Sequence, residues 1–336
     1  MKNFTQRLLL LASICVFAQG ISAFSSEDKE VNTINSVEDS QIVVAVTGGR
    51  VRSKPTTKSE ILKESSIGTR YLVVGEKNNW SKVELEKAST ETRAKTGWIS
   101  NTITAKYNSS NPGPIYQKIA NKYLSRKNLS FRAAIELYEF LPKAADEAKT
   151  YDEGGDLRLK SLEALSRALK VIPISKTKSS PYKEFLDKHS GDIVFSEPSG
   201  EWYVRSEKFW QLHEKYKKHK VGETIAWKAA GNPTPGECEG YINCHLYRLR
   251  ITHGEYLNFY PNGKQSKQAL QDVFNLFQPI IADLPAKDVY YTASDITDRA
   301  EFNKMLADLR KIISKSPHLF KTKILKQIHE IAEGHR

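Results

Sequence analysis

Cysteine, methionine and long apolar runs are the scarce features of this 336-residue chain. It has three cysteines and two methionines. The absence of the ~20-residue apolar stretch that a bilayer crossing needs excludes a conventional helical membrane protein. The phosphate-cradling and dinucleotide-binding glycine motifs G-x-x-x-x-G-K-[ST] and G-x-G-x-x-G are missing. So are the zinc-protease motif H-E-x-x-H and the nucleophile elbow G-x-S-x-G, which leaves nucleotide, zincin and α/β-hydrolase chemistry without a foothold. No cofactor and no metal are expected.

The longest apolar run is at the start. Lys2 and Arg7 flank Leu8 to Ala18, and the small-residue triplet Ile21-Ser22-Ala23 follows. Charge, apolar core and small residues in that order are a secretory signal, with cleavage expected between Ala23 and Phe24. Cys15 does not make it a lipoprotein signal, because Ile14 stands where a small residue is required. The expected product is exported, periplasmic or extracellular, and carries no integral membrane segment. Residues 24–40 are polar, rich in Ser and Glu and without period, and are expected to be a flexible linker.

Export changes how the cysteines and the charge are read. Removal of residues 1–23 leaves Cys238 and Cys244, a close pair in an oxidising compartment. A disulfide is the expectation, a local clamp contributing roughly 2 to 2.5 kcal/mol on the chain-entropy model. Two sharper readings stay open. Glu237-Cys238-Glu239-Gly240 superficially matches the D-C-S-G nucleophile of cell-wall cysteine peptidases, although two flanking carboxylates would raise the thiol pKa. Cys238, Cys244, His245 and His253 are also zinc-ligand types, in an unfamiliar spacing. Glu237 and Glu239 could join a calcium or acid–base site. The whole chain carries 51 Lys+Arg against 39 Asp+Glu, and losing Lys2 and Arg7 still leaves +10. A basic exported protein meets anionic envelope polymers, not genomic nucleic acid. Only Lys215, Lys217, Lys218 and Lys220 approach a cluster.

Residues 41–107 hold short runs of β-branched and aromatic residues, such as Tyr71-Leu72-Val73-Val74 and Ser81-Lys82-Val83-Glu84-Leu85. Gly48-Gly49, Pro55, Gly68, Gly75, Asn78-Asn79 and Gly97 punctuate them, a pattern that predicts a small barrel or sandwich. Arg50, Val51, Arg52, Ser53 and Pro55, then Trp80, Lys82 and Val83, then Thr96, Gly97, Trp98 and Ile99, follow the order of an R-V-R-S-x-P entry, a G-W-x-K-V strand and a closing T-G-W-V strand. In these positions the segment resembles the bacterial Src-homology-3-like module (SH3b). The resemblance covers about a fifth of the chain. Lys54 stands where a glycine is common, and Glu86 to Ala94 lengthen one hairpin. It implies an SH3-like barrel binding cell-wall peptide, or another extended segment of an envelope partner, through an aromatic groove, here Tyr71, Trp80 and Trp98.

After a linker at 108–113 the hydrophobic period changes to 3.6. Ser130 caps a predicted helix with Phe131, Ile135, Tyr138 and Leu141 on one face, kinked or divided by Pro142. Gly154-Gly155 predicts a break before a stripe of Leu162, Leu165, Leu169 and Ile172. A hairpin is predicted from 193–195 and 202–204 around Pro198-Ser199-Gly200, then a helix with Phe209, Leu212, His213 and Tyr216 inward. A compact helix at 225–230 stops at Gly231-Asn232-Pro233. Residues 245–251 and 254–260 are expected to pair as strands around His253-Gly254. Three helices close the chain: Leu270, Phe274, Phe277 and Ile281; Phe302, Met305, Leu309 and Ile312; and, from a Ser316-Pro317 cap, Phe320, Ile324, Ile328 and Ile331. The fold class expected is multidomain, a small all-β barrel followed by a larger, mostly helical α+β domain at 114–336. The function expected is non-enzymatic binding, with the helical domain as scaffold or second surface. The alternatives are a cell-wall hydrolase and a purely structural envelope protein.

Overall fold

Alternating burial along short strands builds the first hundred residues. The computed structural model describes residues 40–85, 95–286, 290–292 and 296–335, with 296 and 297 by backbone alone. The expected signal, its Ala23/Phe24 cleavage point, nearly all of the 24–40 linker and the inserted hairpin at 86–94 lie outside the described residues. Seven strands follow one another: β1 (Gln41–Val44), β2 (Gly49–Arg52), β3 (Ile61–Ser65), β4 (Arg70–Lys77), β5 (Trp80–Glu84), β6 (Thr96–Ser100) and β7 (Thr104–Tyr107). They form one antiparallel sheet in the order β3-β2-β6-β5-β4-β1-β7.

The expected closed barrel is not there. Among the described residues β3 pairs only with β2 and β7 only with β1, so both are edges. The physical reason is in β1, where Ile42 and Val44 face the sheet's own core with Val51, Tyr71, Val83 and Ile99. Val43, fully buried, faces the other way and joins the helices. A strand apolar on both faces is covered by a second layer, and closure is not needed to bury it.

That second layer begins with α1 (Gly113–Leu124), α2 (Phe131–Glu147) and α3 (Tyr151–Lys170). Ser130 caps α2 as expected, accepting from the Ala133 amide. The sheet is docked on α2 at several points. Arg132 pairs with Glu64, Arg70 with Glu147 at 3.1 Å, and the Ile67 amide donates to Glu136 at 3.2 Å. Gly68, at φ +84°, lies against the Phe140 ring so closely that a Cβ there would stand 2.1 Å from it.

Two expected interruptions are absent. Pro142 sits inside an unbroken α2. Its missing N–H leaves the Tyr138 carbonyl without a helical donor, and the Ser161 hydroxyl of α3 donates to that oxygen at 3.0 Å. Gly154 and Gly155 do not break the chain either; both are buried within α3. A Cβ at Gly155 would stand 2.6 Å from Val221 Cγ1 and 3.0 Å from the Tyr216 ring, so the glycines let neighbouring helices approach.

Beyond α4 (Tyr182–Lys188), strands β8 (Ile193–Ser196) and β9 (Glu201–Val204) form the expected hairpin, with Gly200 at φ +64° in its turn. Helices α5 (Ser206–Tyr216) and α6 (Lys220–Ala230) follow. Ile225 and Ala229 of α6 enter the first helical core, and Ala226 and Ala230 enter the second. Helix α6 is therefore the wall between them.

The predicted strand pair at 245–260 is instead helical as far as Phe259: α7 (Ile242–Leu249), a π-helical turn (Arg250–Gly254) and α8 (Glu255–Phe259). Ile242, Leu246 and Leu249, then Tyr256 and Leu257, are buried at helical spacing. The wider π turn shifts the phase between these two sets, which hides a regular helix period and leaves the stretch readable as strands. Helices α9 (Ser266–Asp283), α10 (Ile296–Ser314) and α11 (Lys321–Gly334) complete the second core. Helix α11 starts after Phe320, not at Ser316-Pro317. Ser316 is buried in the preceding turn, where its hydroxyl accepts from the His318 amide.

Candidate functional site

Strand alternation sorts the expected aromatic residues onto two faces. On β5, Ser81 and Val83 point into the core and Trp80, Lys82 and Glu84 point out. On β6, Gly97 and Ile99 point in and Trp98 and Ser100 point out. The register pairs Trp98 with Lys82 on one side and Arg52 on the other. It pairs Trp80 with Ser100 and with Lys77. Trp80 and Trp98 are thus diagonal cross-strand neighbours on the outer face. Both are half-buried.

Cations surround the two rings. Arg52 donates from Nη1 to the Ser59 carbonyl at 2.6 Å, which fixes its stem beside Trp98. Lys77 and Lys82 have no carboxylate partner among the described residues. Glu84, opposite Thr96, is the acid at the far end of the row. The outcome is a flat face with two tryptophans and three cations, suited to an extended ligand with carbonyl or carboxylate groups and apolar side chains.

Tyr71 is not part of this face. It is buried on the inner side of the sheet, and its hydroxyl lies 2.6 Å from Ser65 Oγ. It packs the core, and the expectation that it joins the tryptophans is corrected.

The cysteine loop gathers no reactive centre. Cys238 and Cys244 form a disulfide with their Cα atoms 5.4 Å apart. Neither sulfur is then available as a nucleophile or as a zinc thiolate. His245 donates from Nε2 to the Glu239 carbonyl at 2.7 Å. His253 is elsewhere, against Trp227 and 3.3 Å from Asp272. The four residues of the zinc reading are therefore not one site. No cluster of three or more His, Cys, Asp or Glu side chains that could hold a metal occurs among the described residues, Glu237 and Glu239 included.

Two clefts lie in the helical region that the residue pattern did not reveal. One, beside the π turn, is lined by Trp210, His213, Phe259, Arg250 and Glu255. His213 is buried there with Nε2 2.9 Å from the Tyr260 hydroxyl, and burial holds its pKa below the usual imidazole range. The other lies between α3 and the outer edge of β9. The π turn that shapes the first could only be found from structure. The second joins residues more than sixty positions apart. No described helix is long and apolar enough to cross a membrane.

No family model, curated protein or solved structure matches this chain. The SH3b resemblance stands on its motif residues alone.

Proposed function

We propose that this is an exported, non-enzymatic binding protein. In this reading its sheet is an SH3b-like module that grips cell-wall peptide or an extended envelope segment. The observation that carries the reading is the juxtaposition of Trp80 and Trp98 on the outer sheet face, with Arg52 and Lys82 flanking Trp98 in register. Flat rings give contact area at low entropy cost, and the cations answer the carboxylates of wall peptides and other anionic envelope polymers. The amino-terminal signal pattern supports delivery to the periplasm or the outside. The helical region acts as the scaffold that presents the sheet.

The test is cosedimentation with purified sacculi. Deleting residues 41–107 would strip Val43 and Ile67 from the helical core, so point variants are the cleaner tool. A Trp80→Ala/Trp98→Ala protein should lose at least ~30-fold in affinity, the effect of removing a binding hot spot. Unchanged sedimentation by that double variant would refute the reading. Export has its own check: the secreted chain should begin at Phe24.

A further inference from the structure

The cleft between α3 and β9 has a volume of about 410 Å³, within the range of small-ligand sites. Its floor is a free strand edge. The Arg205 amide donates to the Asp192 carbonyl, and the register pairs Val194 with Tyr203 and Ile193 with Val204. Hydrogen-bonded pairs alternate along an antiparallel ladder, so Trp202 and Val204 direct their main-chain groups away from β8. The Val204 carbonyl is already used in that direction, accepting from Asn232 Nδ2 at 2.9 Å. The Trp202 main-chain N–H and C=O have no partner among the described residues.

Around that edge the side chains divide by chemistry. Leu124, Phe209 and the Trp202 ring are apolar. Lys228 is neutralised by Glu163 at 2.6 Å. Arg167 is fixed in place by donating to the Arg126 and Lys127 carbonyls. Lys170 is exposed and has no carboxylate partner among the described residues. The cleft therefore keeps two uncompensated cations, an apolar wall and one unpaired strand segment.

We propose that this cleft is a second ligand site, which takes the carboxy-terminal end of a short extended peptide. The ligand's main chain pairs with Trp202, its last side chain lies against the apolar wall, and its terminal carboxylate meets Lys170 and Arg167. Strand addition supplies affinity from main-chain bonds, and the cations supply the preference for a free carboxylate.

Titration of the intact chain with N-acetyl-Ala-Phe, followed by tryptophan fluorescence and calorimetry, tests this. The free acid should bind saturably and at least tenfold more tightly than the same dipeptide with an amidated terminus. Lys170→Gln should narrow that preference to less than threefold while leaving amide binding unchanged. N-methylation of the Phe amide should weaken binding at least fivefold. The acid-over-amide preference, and its loss in Lys170→Gln, should persist in a Trp80→Ala/Trp98→Ala background, which separates this site from the sheet face. Equal binding of acid and amide, an unaltered preference in Lys170→Gln, or no saturable binding at millimolar dipeptide would each overturn the proposal.

Discussion

The sheet and the helical region bury their apolar residues in different ways. The sheet's own core is a single layer: Ile42, Val44, Val51, Tyr71, Val83 and Ile99. The helices enclose two larger cores that share α6 as a wall. A layer as small as the first offsets little chain entropy. It is completed from outside, through Val43 and Ile67, which the sheet contributes to the helical core. The lesson is that a region resembling an independent module is, energetically, a lid on the first helical pair. Helix α2 meets the outward face of the sheet at β1 and β4, through Val43 and Arg70, and Trp80 and Trp98 lie farther along that same face on β5 and β6.

The largest expected effect tests that dependence. Val43→Asp would place a carboxylate in the helical core, beside an Arg70 that already pairs with Glu147, and should cost about 4 kcal/mol or more in urea unfolding. Hydrogen exchange should rise in α2 around Leu137 and Leu141 as well as in the strands. Val44→Ala, on the sheet's own side, should raise exchange chiefly in the strands. If Val43→Asp left α2 protected, the two regions would be independent after all.

Acid sharpens the contrast next, because the shifted histidines all lie outside the sheet. Burial is the first cause holding His189, His213 and His253 below the ordinary imidazole range. Asp192, Glu214 with Glu255, and Asp272 respectively pull the other way without reversing it. A histidine with a depressed folded pKa takes up its proton more readily when unfolded. Its contribution is present above about pH 6.5 and is lost as pH falls below that value. Urea midpoints should therefore decline between pH 7 and pH 5, before the carboxylates titrate. His213→Gln should make the decline shallower. A flat profile over that window would remove the asymmetry.

Gly155→Ala is a smaller effect with an informative sign. If helix propensity alone decided, alanine at this position inside α3 would stabilise by about 1 kcal/mol. The 2.6 Å approach of Val221 Cγ1 argues the opposite, a net loss of about 1 to 2 kcal/mol from overpacking. Chemical denaturation decides between them.

Those glycines also show how far the residues could be read in advance. The strands were legible because alternation, as at Ser81 and Val83 against Trp80 and Lys82, is a local signal. So were the Ser130 cap and the stop at Gly231, which depend on neighbours one turn away. Closure of the sheet was not legible, since it turns on what covers Val43, and that cover is a helical core drawn from distant segments of the chain. The π turn at 250–254 escaped because the shift in phase disguises the helical period. At the candidate face, Trp80 and Trp98 were legible as a pair, whereas Tyr71 was misassigned because its inward direction depends on strand register. The β9 cleft had no local signature: Lys170, Trp202 and Asn232 meet only through the packing of a hairpin on α3.

Pro142 gives the smallest effect and shows how the helical region accommodates an unfavourable residue. A proline inside a helix removes one amide donor and leaves the carbonyl four residues earlier unpaired, here that of Tyr138. Ser161, almost fully buried, supplies the replacement from α3 at 3.0 Å. Ser161→Ala should then cost about 1 kcal/mol, because a part-buried carbonyl loses the donor that replaces the missing helical amide. In a Pro142→Ala background the helix has its own N–H back, and the same serine substitution should cost appreciably less. Urea unfolding of the two single variants and the double variant closes the cycle. A coupling near zero would mean that the serine packs beside the proline without compensating for it, and the continuity of α2 would need another cause.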